Sequence, residues 1–361
     1  MNDLYIGFMS GTSCDGVDAS LIETDGKDYF RPIHNTAISY DLNTRNQLQE
    51  LFVRSAPFLE IEKKLTEFHI QAGNKLLNES GYSAIEIKAA GFHGQTVFHK
   101  PDEGLTWQIG NPHMLASGLG IDIVHDFRRR DVANGGQGAP LIPIFHKLLA
   151  KDHDLPSVIV NIGGVANLTY IDEEDLIAFD TGPGNALIDD IMMQYYGQPY
   201  DDGGEIASSG NIDKIFINKV LSGEYYNLPY PKSLDRNSFM FLIKELEKKN
   251  PEDIVANLTY LTSAAIIHSI SQLPNWPKQI FICGGGAKNS QMLWWIEKLL
   301  KDQNIDCNLL DISQLPDMNS DYVESQGFAY LAARFCNDLP SAFPSTTGAK
   351  VPSICGCLIK P

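Results

Sequence analysis

Three apolar runs of this chain end in glycine-rich turns, and this pattern restricts the fold more than any other feature of the sequence. The three pairs of run and turn are Leu4–Met9 with Ser10–Gly16, Ser157–Val160 with Asn161–Asn167, and Gln279–Cys283 with Gly284–Gly286. After each of the first two turns an apolar run resumes, which predicts two antiparallel strand pairs joined by glycine loops. The third turn instead precedes a helical pattern.

Helical patterns occupy the intervals between these strands. Apolar residues recur at helical spacing over residues 43–76, with a break at Pro57, and again over residues 186–196, 289–300 and 323–336. Strands that alternate with helices predict an α/β fold.

The two hairpins open the two halves of the 361-residue chain. We therefore expect a duplicated architecture of two domains, residues 1–150 and 151–361, with a cleft between them. The segment from Leu339 to Pro361 is rich in Pro, Ser, Thr and Gly, which predicts a loose tail.

Charge and hydropathy limit the partners of the protein. The chain carries 28 Lys and Arg against 45 Asp and Glu, for a net charge of −17. This charge argues against nucleic acid as a partner, because nucleic-acid binding depends on cations that neutralise phosphates. No run approaches the roughly 18 apolar residues of a membrane helix, and Met1–Tyr5 lacks the features of a signal peptide. We expect a cytoplasmic protein whose anionic ligands meet local groups rather than a basic surface.

The first glycine loop combines groups that bind phosphate. Between Gly11 and Asp18, accessible backbone amides alternate with the hydroxyls of Thr12 and Ser13 and with two carboxylates. Amides and hydroxyls suit phosphate oxygens, and a carboxylate such as Asp15 suits Mg²⁺, usually through water. The alternative is a tight hairpin turn centred on Asp15 and the following glycine.

Other common site motifs are absent from the sequence. There is no P-loop, nucleophile elbow, HExxH pair, EF-hand loop or CxxC pair, and a Rossmann fingerprint would open a helix rather than a second strand. The Gly284–Gly286 turn, between a strand and a helix, is better placed to contact a nucleotide. Cys355 and Cys357 have no second cysteine pair with which to form a zinc finger.

Asp180 is a candidate general base. It lies at the end of an apolar run, in the rigid segment Ala178–Asn185 that precedes a helical pattern. The alternative role is that of a helix N-cap, for which Asn185 is better placed.

Two polar stretches of the first half are candidate binding segments for a sugar or an acid. His93, Gln95 and Thr96 follow a short apolar run and suit sugar hydroxyls or an amide, although a structural histidine is the alternative interpretation. The run Asp126–Asp131 contains three consecutive arginines, which are fork-shaped donors for carboxylate or phosphate. Its flanking aspartates leave internal ion pairs as the alternative.

Together these motifs resemble those of the anhydro-N-acetylmuramic acid kinase family. The shared motifs follow the family order over nearly the whole chain, at residues 11–18, 93–96, 108–110, 126–128, 135–140, 161–167, 179–185 and 284–289. The resemblance implies the actin, sugar-kinase and heat-shock-chaperone superfamily, an α/β fold of two actin-like (ribonuclease-H-like) lobes around a nucleotide-binding cleft. It also implies ATP- and Mg²⁺-dependent conversion of 1,6-anhydro-N-acetylmuramic acid, with water, to N-acetylmuramic acid 6-phosphate in peptidoglycan recycling. A homodimer is a further implication.

The resemblance also implies roles for individual residues. The residues that would bind ATP are Gly11, Thr12, Ser13, Cys14, Asp15, Gly16, Val17, Asp18, Asn161, Gly163, Gly164, Gly284, Gly285 and Gly286. Asp15 would also hold Mg²⁺ through water. The residues that would bind the sugar are His93, Gln95, Thr96, Arg128, Arg130, Gly182 and Asn185. Asp180 corresponds to the catalytic base of the family and Glu324 to its second active-site carboxylate.

The sequence departs from the family pattern at three places. Residues 232–237 read Lys-Ser-Leu-Asp-Arg-Asn where many members have Lys-Ser-Thr-Gly-Arg-Glu, so the role of this segment stays open. Ser325 stands where alanine is usual, and Cys14 where methionine is common. The alternative functions are a kinase of the same superfamily for another sugar and a non-catalytic ATP-driven switch, which would need no base such as Asp180.

Overall fold

Each half of the chain begins with the antiparallel hairpin that its sequence predicts. The structure, a computed structural model, describes residues 3–51, 58–234 and 236–361. These residues form two units: unit 1 comprises Met1–Leu149 and Pro316–Pro361, and unit 2 comprises Ala150–Leu315. The expectation that residues 151–361 form one domain is therefore wrong for the C-terminal segment, because its long helix packs on the sheet of unit 1.

The strands and helices follow one another along the chain as the α/β pattern predicts. The strands are β1 (Asp3–Met9), β2 (Gly16–Thr24), β3 (Phe30–Ser39), β4 (Ile87–Phe92), β5 (Gln95–Lys100), β6 (Leu105–Ile109), β7 (Ile123–His125), β8 (Ser157–Ile162), β9 (Val165–Ile171), β10 (Leu176–Pro183), β11 (Gln279–Cys283), β12 (Asn308–Asp311) and β13 (Cys357–Ile359). The α-helices are α1 (Leu42–Leu51), α2 (Phe58–Ser80), α3 (Pro112–Leu119), α4 (Arg129–Ala133), α5 (Pro143–Leu149), α6 (Ala186–Tyr196), α7 (Glu205–Ser209), α8 (Lys214–Leu221), α9 (Glu224–Asn227), α10 (Met240–Leu246), α11 (Pro251–Ile270), α12 (Ser290–Asp302), α13 (Val323–Cys336) and α14 (Pro344–Thr347).

All four predicted helical patterns form helices in the structure. The predictions over residues 186–196 and 323–336 are confirmed at both ends by α6 and α13, and α12 occupies the third predicted position. The long pattern over residues 43–76 forms α1 and α2, and the predicted break at Pro57 lies outside the described residues.

The main sheets of the two units share one topology over five strands, and β13 is a sixth strand in unit 1. Unit 1 has the strand order β13-β7-β4-β1-β2-β3, and unit 2 has the order β10-β9-β8-β11-β12. In each sheet the first hairpin and the next strand are antiparallel, and two further strands are added in parallel on the other side of the first strand. The predicted duplication is therefore present in the strand order and direction.

Two glycines allow α13 to lie directly on the sheet of unit 1. A Cβ on Gly7 of β1 would lie 1.7 Å from Ser325 O, and one on Gly91 of β4 would lie 2.1 Å from Phe328 O. Because side chains alternate along a strand, the neighbours of Gly7, Ile6 and Phe8, face the opposite side and join the apolar core formed with α2. The sheet is thus covered on both faces, which explains why β1 is apolar along most of its length.

The C-terminal residues are part of the fold, and the predicted loose tail over 339–361 is wrong. The strand β13 pairs with β7 and extends the sheet, so β7 is not left as an unpaired edge. Thr347 donates from Oγ1 to the buried carboxylate of Asp131 at 2.7 Å. A segment rich in Pro, Ser, Thr and Gly can therefore be either loose or ordered, and composition alone did not distinguish the two.

In unit 2, the helix α11 lies inside the apolar core. Almost all of its residues are buried, and every residue of β8 is buried as well. No helix in the described part of the chain is long and apolar enough to span a membrane.

Candidate active site

The first glycine loop is a turn with defined backbone bonds. Cys14 N donates to Gly11 O at 3.1 Å, and Tyr40 N donates to Asp15 O at 2.8 Å. Cys14 has a φ of 55° and a side chain buried in the core of unit 1. The alternative of a primed turn at Asp15–Gly16 is wrong, because the left-handed backbone falls at Cys14 and Gly16 already belongs to β2.

The loop exposes a carboxylate that fits a hydrated cation. Asp15 is exposed, and its Oδ1 accepts a hydrogen bond from Ser13 Oγ at 2.9 Å. Within residues 3–51, 58–234 and 236–361, no cluster of three or more metal-ligating side chains exists. A single exposed carboxylate suits Mg²⁺ that takes its other ligands from phosphate and water, as is usual for this ion. The donor set therefore fits Mg²⁺ bound together with a nucleotide.

A chain of hydrogen bonds runs from the first loop to Arg128 within unit 1. Ser10 Oγ donates to Gly94 O at 3.3 Å and lies 3.5 Å from His69 Nε2. His93 donates from Nδ1 to the same carbonyl at 2.7 Å, and its Nε2 accepts from Arg128 Nε and Nη2 at 3.0 and 2.8 Å. Burial, together with Arg128, holds the pKa of His93 well below its usual value, so the ring is neutral.

The three arginines of the basic run have different surroundings. Arg128 is half-buried and also donates to Gly138 O at 2.6 Å. Arg129 forms the internal ion pair that was the alternative interpretation, with Nη1 3.7 Å from Asp126 Oδ2. Arg130 is exposed on α4. Arg128 is therefore the arginine whose guanidinium is held in place by the protein.

Asp131 shapes the glycine segment that holds Arg128. Its Oδ2 accepts from Gly138 N at 2.7 Å, and burial raises its pKa above the usual value. A Cβ on Gly136 would lie 2.3 Å from the same oxygen, so only glycine fits this approach. The carboxylate thus fixes the backbone of residues 135–138 rather than facing a ligand.

Gln95 presents a buried acceptor. Its side chain is 1% exposed, and its Oε1 has no hydrogen-bond partner among the described residues. Its Nε2 makes a weak contact with Thr96 O at 3.5 Å, and Thr96 Oγ1 accepts from Gln108 Nε2 at 3.2 Å. An orphaned buried acceptor is costly unless a ligand or water supplies a donor.

In unit 2, the second glycine loop is braced by the segment that opens α6. Asn185 N donates to Gly163 O at 2.7 Å and Gly184 N donates to Gly164 O at 3.1 Å. Asn185 precedes the helix as expected, but its side chain does not cap it and instead donates to Ile162 O at 3.1 Å.

The third glycine loop packs against the second. A Cβ on Gly284, whose φ is 78°, would lie 2.4 Å from Asn161 Oδ1, and one on Gly286 would lie 2.3 Å from Ile162 Cγ2. Glycine is therefore required for this approach. The structure brings together the ATP-binding candidates of unit 2, namely Asn161, Gly163, Gly164, Gly284, Gly285 and Gly286.

Asp180 is a buried carboxylate within β10. It is 6% exposed and lies at a bulge, and the strand continues to Pro183 rather than ending at Asp180. Leu234 N donates to its Oδ2 at 2.7 Å. Asp180 N donates to Lys232 O at 3.0 Å, and Tyr225 OH donates to Asp180 O at 2.5 Å. The helix-cap alternative is wrong, since α6 begins at residue 186.

Two further predicted site residues, Glu324 and Gly182, belong to different units. Glu324 is half-buried in the first turn of α13, in unit 1, next to Ser325, whose Oγ lies 2.5 Å from Ser20 Oγ. Gly182 follows the bulge in β10, where a Cβ would lie 3.1 Å from Tyr226 OH.

Sequence reasoning missed two polar residues that contact these sites. His69 lies on α2 among apolar residues, and nothing in the sequence distinguished it from an ordinary core histidine. Lys232 belongs to a segment that the family comparison singled out, but its contacts with α9 come from tertiary structure.

The comparisons with known proteins agree with the motif pattern. The family model described as "Anhydro-N-acetylmuramic acid kinase" matches residues 3–361. Relatives with that name include one from Bradyrhizobium diazoefficiens, 40% identical over 369 residues, and one from Rhizorhabdus wittichii, 39% identical over 369 residues; each alignment covers 99% of both chains.

Solved structures give only distant similarities. Component A of the (R)-2-hydroxyglutaryl-CoA dehydratase of Acidaminococcus fermentans aligns with a TM-score of 0.47 at 10% identity, over 92% of this chain and 98% of that one. A ROK hexokinase from Thermus thermophilus aligns with a TM-score of 0.40 at 10% identity, over 90% and 97%. These scores are too low to add to the assignment, which the sequence relatives carry. The chain belongs to the anhydro-N-acetylmuramic acid kinase family.

Proposed function

We propose that this protein is an ATP-dependent kinase that opens 1,6-anhydro-N-acetylmuramic acid with water and forms N-acetylmuramic acid 6-phosphate, a reaction of peptidoglycan recycling. Membership of the family over residues 3–361 supports the substrate and the reaction. The observation that carries the mechanism is the carboxylate of Asp180, buried and held by Leu234 N–H. A protein that only changes shape with ATP needs no such base.

In this mechanism Asp180 accepts a proton from the water that attacks the anomeric carbon. A new bond forms between that carbon and the water oxygen, and the bond from the carbon to the bridge oxygen breaks. The electron pair of the broken bond stays on the bridge oxygen, which bonds to the γ-phosphorus of ATP as ADP leaves. A positioned carboxylate of this kind contributes a factor of roughly 10² to 10⁴ to the rate.

The glycine loops would bind the nucleotide. The amides and hydroxyls of residues 11–18 suit the phosphates, as do the amides of the Gly163–Gly164 turn, and Gly284–Gly286 suits the adenosine side. Bound Mg²⁺ would offset the phosphate charge during transfer, with Asp15 holding it through water. Because the chain has a net charge of −17, these local groups must outweigh the overall field.

Unit 1 would supply the groups that recognise the sugar. Arg128, whose guanidinium is held by Gly138 O and His93, would bind the lactyl carboxylate, and the open acceptor of Gln95 suits a donor such as the acetamido N–H or a hydroxyl. Thr96 and Arg130 stay predicted contacts, as do Glu324, the second carboxylate, and Gly182 of unit 2. For His93 and Asn185 the observed bonds favour a positioning role, because their ring nitrogens and amide already have protein partners.

The experiment that tests the function is direct. The purified protein is incubated with ATP, Mg²⁺ and 1,6-anhydro-N-acetylmuramic acid, and the product is identified by mass spectrometry. We expect N-acetylmuramic acid 6-phosphate, with heavy oxygen from labelled water at the anomeric hydroxyl and not in the phosphate. If the protein phosphorylates another sugar and not this one, it is a kinase of the same superfamily with a different substrate. If it hydrolyses ATP without forming any sugar product, the alternative of a non-catalytic ATP-driven switch is favoured.

We also infer that the protein works in the cytoplasm. None of the six cysteines forms a disulfide; they are Cys14, Cys283, Cys307, Cys336, Cys355 and Cys357. Free thiols suit a reducing compartment that contains ATP. Fractionation of cells that produce the protein, followed by immunoblotting, tests this location.

A further inference from the structure

Lys232 is a buried cation held by backbone carbonyls. Its side chain is 6% exposed, and Nζ donates to Tyr225 O and Leu228 O at 3.1 Å each and approaches Tyr226 O at 3.5 Å. Among the described residues, no carboxylate lies within ion-pair distance of this ammonium. Carbonyls at the C-terminal end of a helix attract a cation, and here they belong to the short helix α9 and the residue after it.

Aromatic rings complete the surroundings of the ammonium. Nζ lies 4.8 Å from the centre of the Tyr225 ring and 5.5 Å from that of Phe179, the residue before Asp180. These distances are within the range of cation–π attraction. Burial lowers the pKa of Lys232 to about 8, because it disfavours the charged form. The carbonyls and rings are the described contacts that oppose this effect.

The same residues surround Asp180. The carbonyl of Lys232 accepts from Asp180 N at 3.0 Å, and two residues later Leu234 N donates to Asp180 Oδ2 at 2.7 Å. Tyr225, whose carbonyl accepts from Lys232, donates its own OH to Asp180 O. The lysine therefore joins the two segments, around residues 225–228 and 232–234, that together hold the backbone and one carboxylate oxygen of Asp180.

We propose that Lys232 is a positioning residue for the carboxylate of Asp180, acting through the backbone of residues 232–234. The inference rests on the proposed function, since it assumes that Asp180 is the base. It gives a role to a segment in which the sequence departs from the family at Leu234. That departure is compatible with the role, because the contact comes from the main-chain N–H and not from the side chain.

The first test is Lys232→Met, which keeps a stem of similar length and removes the charge. We expect kcat to fall by roughly 100-fold, because a small displacement of a catalytic group has an effect of this size. The KM for ATP should stay within about threefold. The matched control is Lys219→Met in the same unit, since Lys219 is exposed and pairs with Glu245 at 2.8 Å; its kcat should be unchanged.

A second pair of variants isolates the donor to the carboxylate. Leu234→Pro removes the N–H, and Leu234→Ala keeps it while shortening the same side chain, so both lose the apolar packing of Leu234. We expect the proline variant to have a kcat at least about tenfold below that of the alanine variant, at equal KM for ATP. If Lys232→Met does not fold, equal kcat values in this pair overturn the proposal, and a lower kcat of the proline variant supports its route through the backbone of residues 232–234.

Asp180→Asn is assayed in parallel to distinguish failure of the proposed base from failure of the positioning role of Lys232. If it keeps normal turnover, the proposed base is wrong and the role of Lys232 falls with it. If it is inactive while Lys232→Met and Leu234→Pro keep the kcat of their controls, the function stands and the positioning role is overturned. Loss of kcat in both, with ATP affinity retained, supports the proposal.

Discussion

The two units have the same sheet topology, yet they present their polar groups in different ways. In unit 1 the groups are side chains joined in a chain of hydrogen bonds, from Ser10 through His93 to Arg128. In unit 2 they are mostly backbone groups of closely packed glycine loops, with one carboxylate, Asp180, held by a neighbouring segment. A repeated sheet order therefore determines where loops begin, while the residues within each loop determine its chemistry.

The two hairpin turns illustrate this difference. The turn of unit 1 runs from Ser10 to Asp15 and carries hydroxyls and a carboxylate. The turn of unit 2 consists of Gly163 and Gly164, and its shape depends on bonds to Gly184 and Asn185. Changes in unit 2 should therefore alter turnover, and changes in unit 1 should alter sugar binding or stability.

The largest expected effect comes from Asp180→Asn in unit 2. It should lower kcat by roughly 10² to 10⁴-fold, because the amide cannot accept the proton from water. Nucleotide affinity should change little. Steady-state kinetics and ATP titration calorimetry measure the two quantities, and Asp175→Asn, at an exposed turn of the same sheet, is the control. A variant with near-normal turnover would remove Asp180 from the mechanism.

Gly7→Ala tests the close packing of α13 in unit 1. Its Cβ would lie 1.7 Å from a backbone oxygen, so helix and sheet must separate, at a cost of about 3 kcal/mol or more in the free energy of unfolding. Gly11→Ala is the control, because its Cβ would have only ordinary contacts with Ser13, at 3.4 Å from Oγ and 4.0 Å from N. Urea unfolding measures both, and equal midpoints for the two variants would contradict the packing argument.

Acid should destabilise unit 1 before unit 2. Burial lowers the pKa of His69 from its usual 6.5 to about 4, and those of His99 and His146 to about 4 and about 3, all in unit 1. Between pH 6.5 and 4 the unfolded state binds more protons than the folded state, so the free energy of unfolding falls as pH falls. His69 alone accounts for about 3 kcal/mol across this range.

Hydrogen exchange at a series of pH values measures this effect unit by unit. Amides of unit 1 should lose protection first as the pH is lowered, and His69→Gln should flatten the pH dependence of its stability. Equal loss of protection in both units would contradict the assignment.

The smallest expected effect separates the arginines of unit 1. Arg128→Gln should raise the KM for the sugar by roughly 10- to 100-fold, the value of one charge-assisted hydrogen bond, while the KM for ATP stays the same. Arg129→Gln is the matched control, since that side chain is exposed and pairs with Asp126. Kinetics with the sugar varied measure the change. A larger rise in the KM for the sugar at Arg129 or Arg130 would show that Arg128 is not the arginine that binds the sugar.

Much of the fold was predictable because the determining patterns are local. The glycine turns after apolar runs identified both hairpins, and helical spacing placed α6 and α13 at their observed ends. The assignment of residues 316–361 to unit 1 was not predictable, because it depends on long-range packing of α13 across Gly7 and Gly91. The order of the tail, which depends on pairing with β7, was missed for the same reason.

For the candidate site, the sequence identified candidate residues by their type and position but did not reveal their surroundings. Asp180, Gln95 and Arg128 were found from their positions after apolar runs or in a charged cluster. The sequence did not distinguish Arg128 from its two neighbours, because only the fold brings His93 and Gly138 to it.

The sequence by itself determined the α/β class, the hairpins with their glycine loops, and the membership of a kinase family, since these depend on local spacing and on motifs in order. Tertiary structure alone decided which polar side chains are bonded inside the protein as supports for other segments. Asn185 and Asp131 hold backbone segments, and Lys232 joins the segments around Asp180. The physical reason is that burial and hydrogen-bond partners come from residues far apart in the chain, and these set the charge state and position of each group.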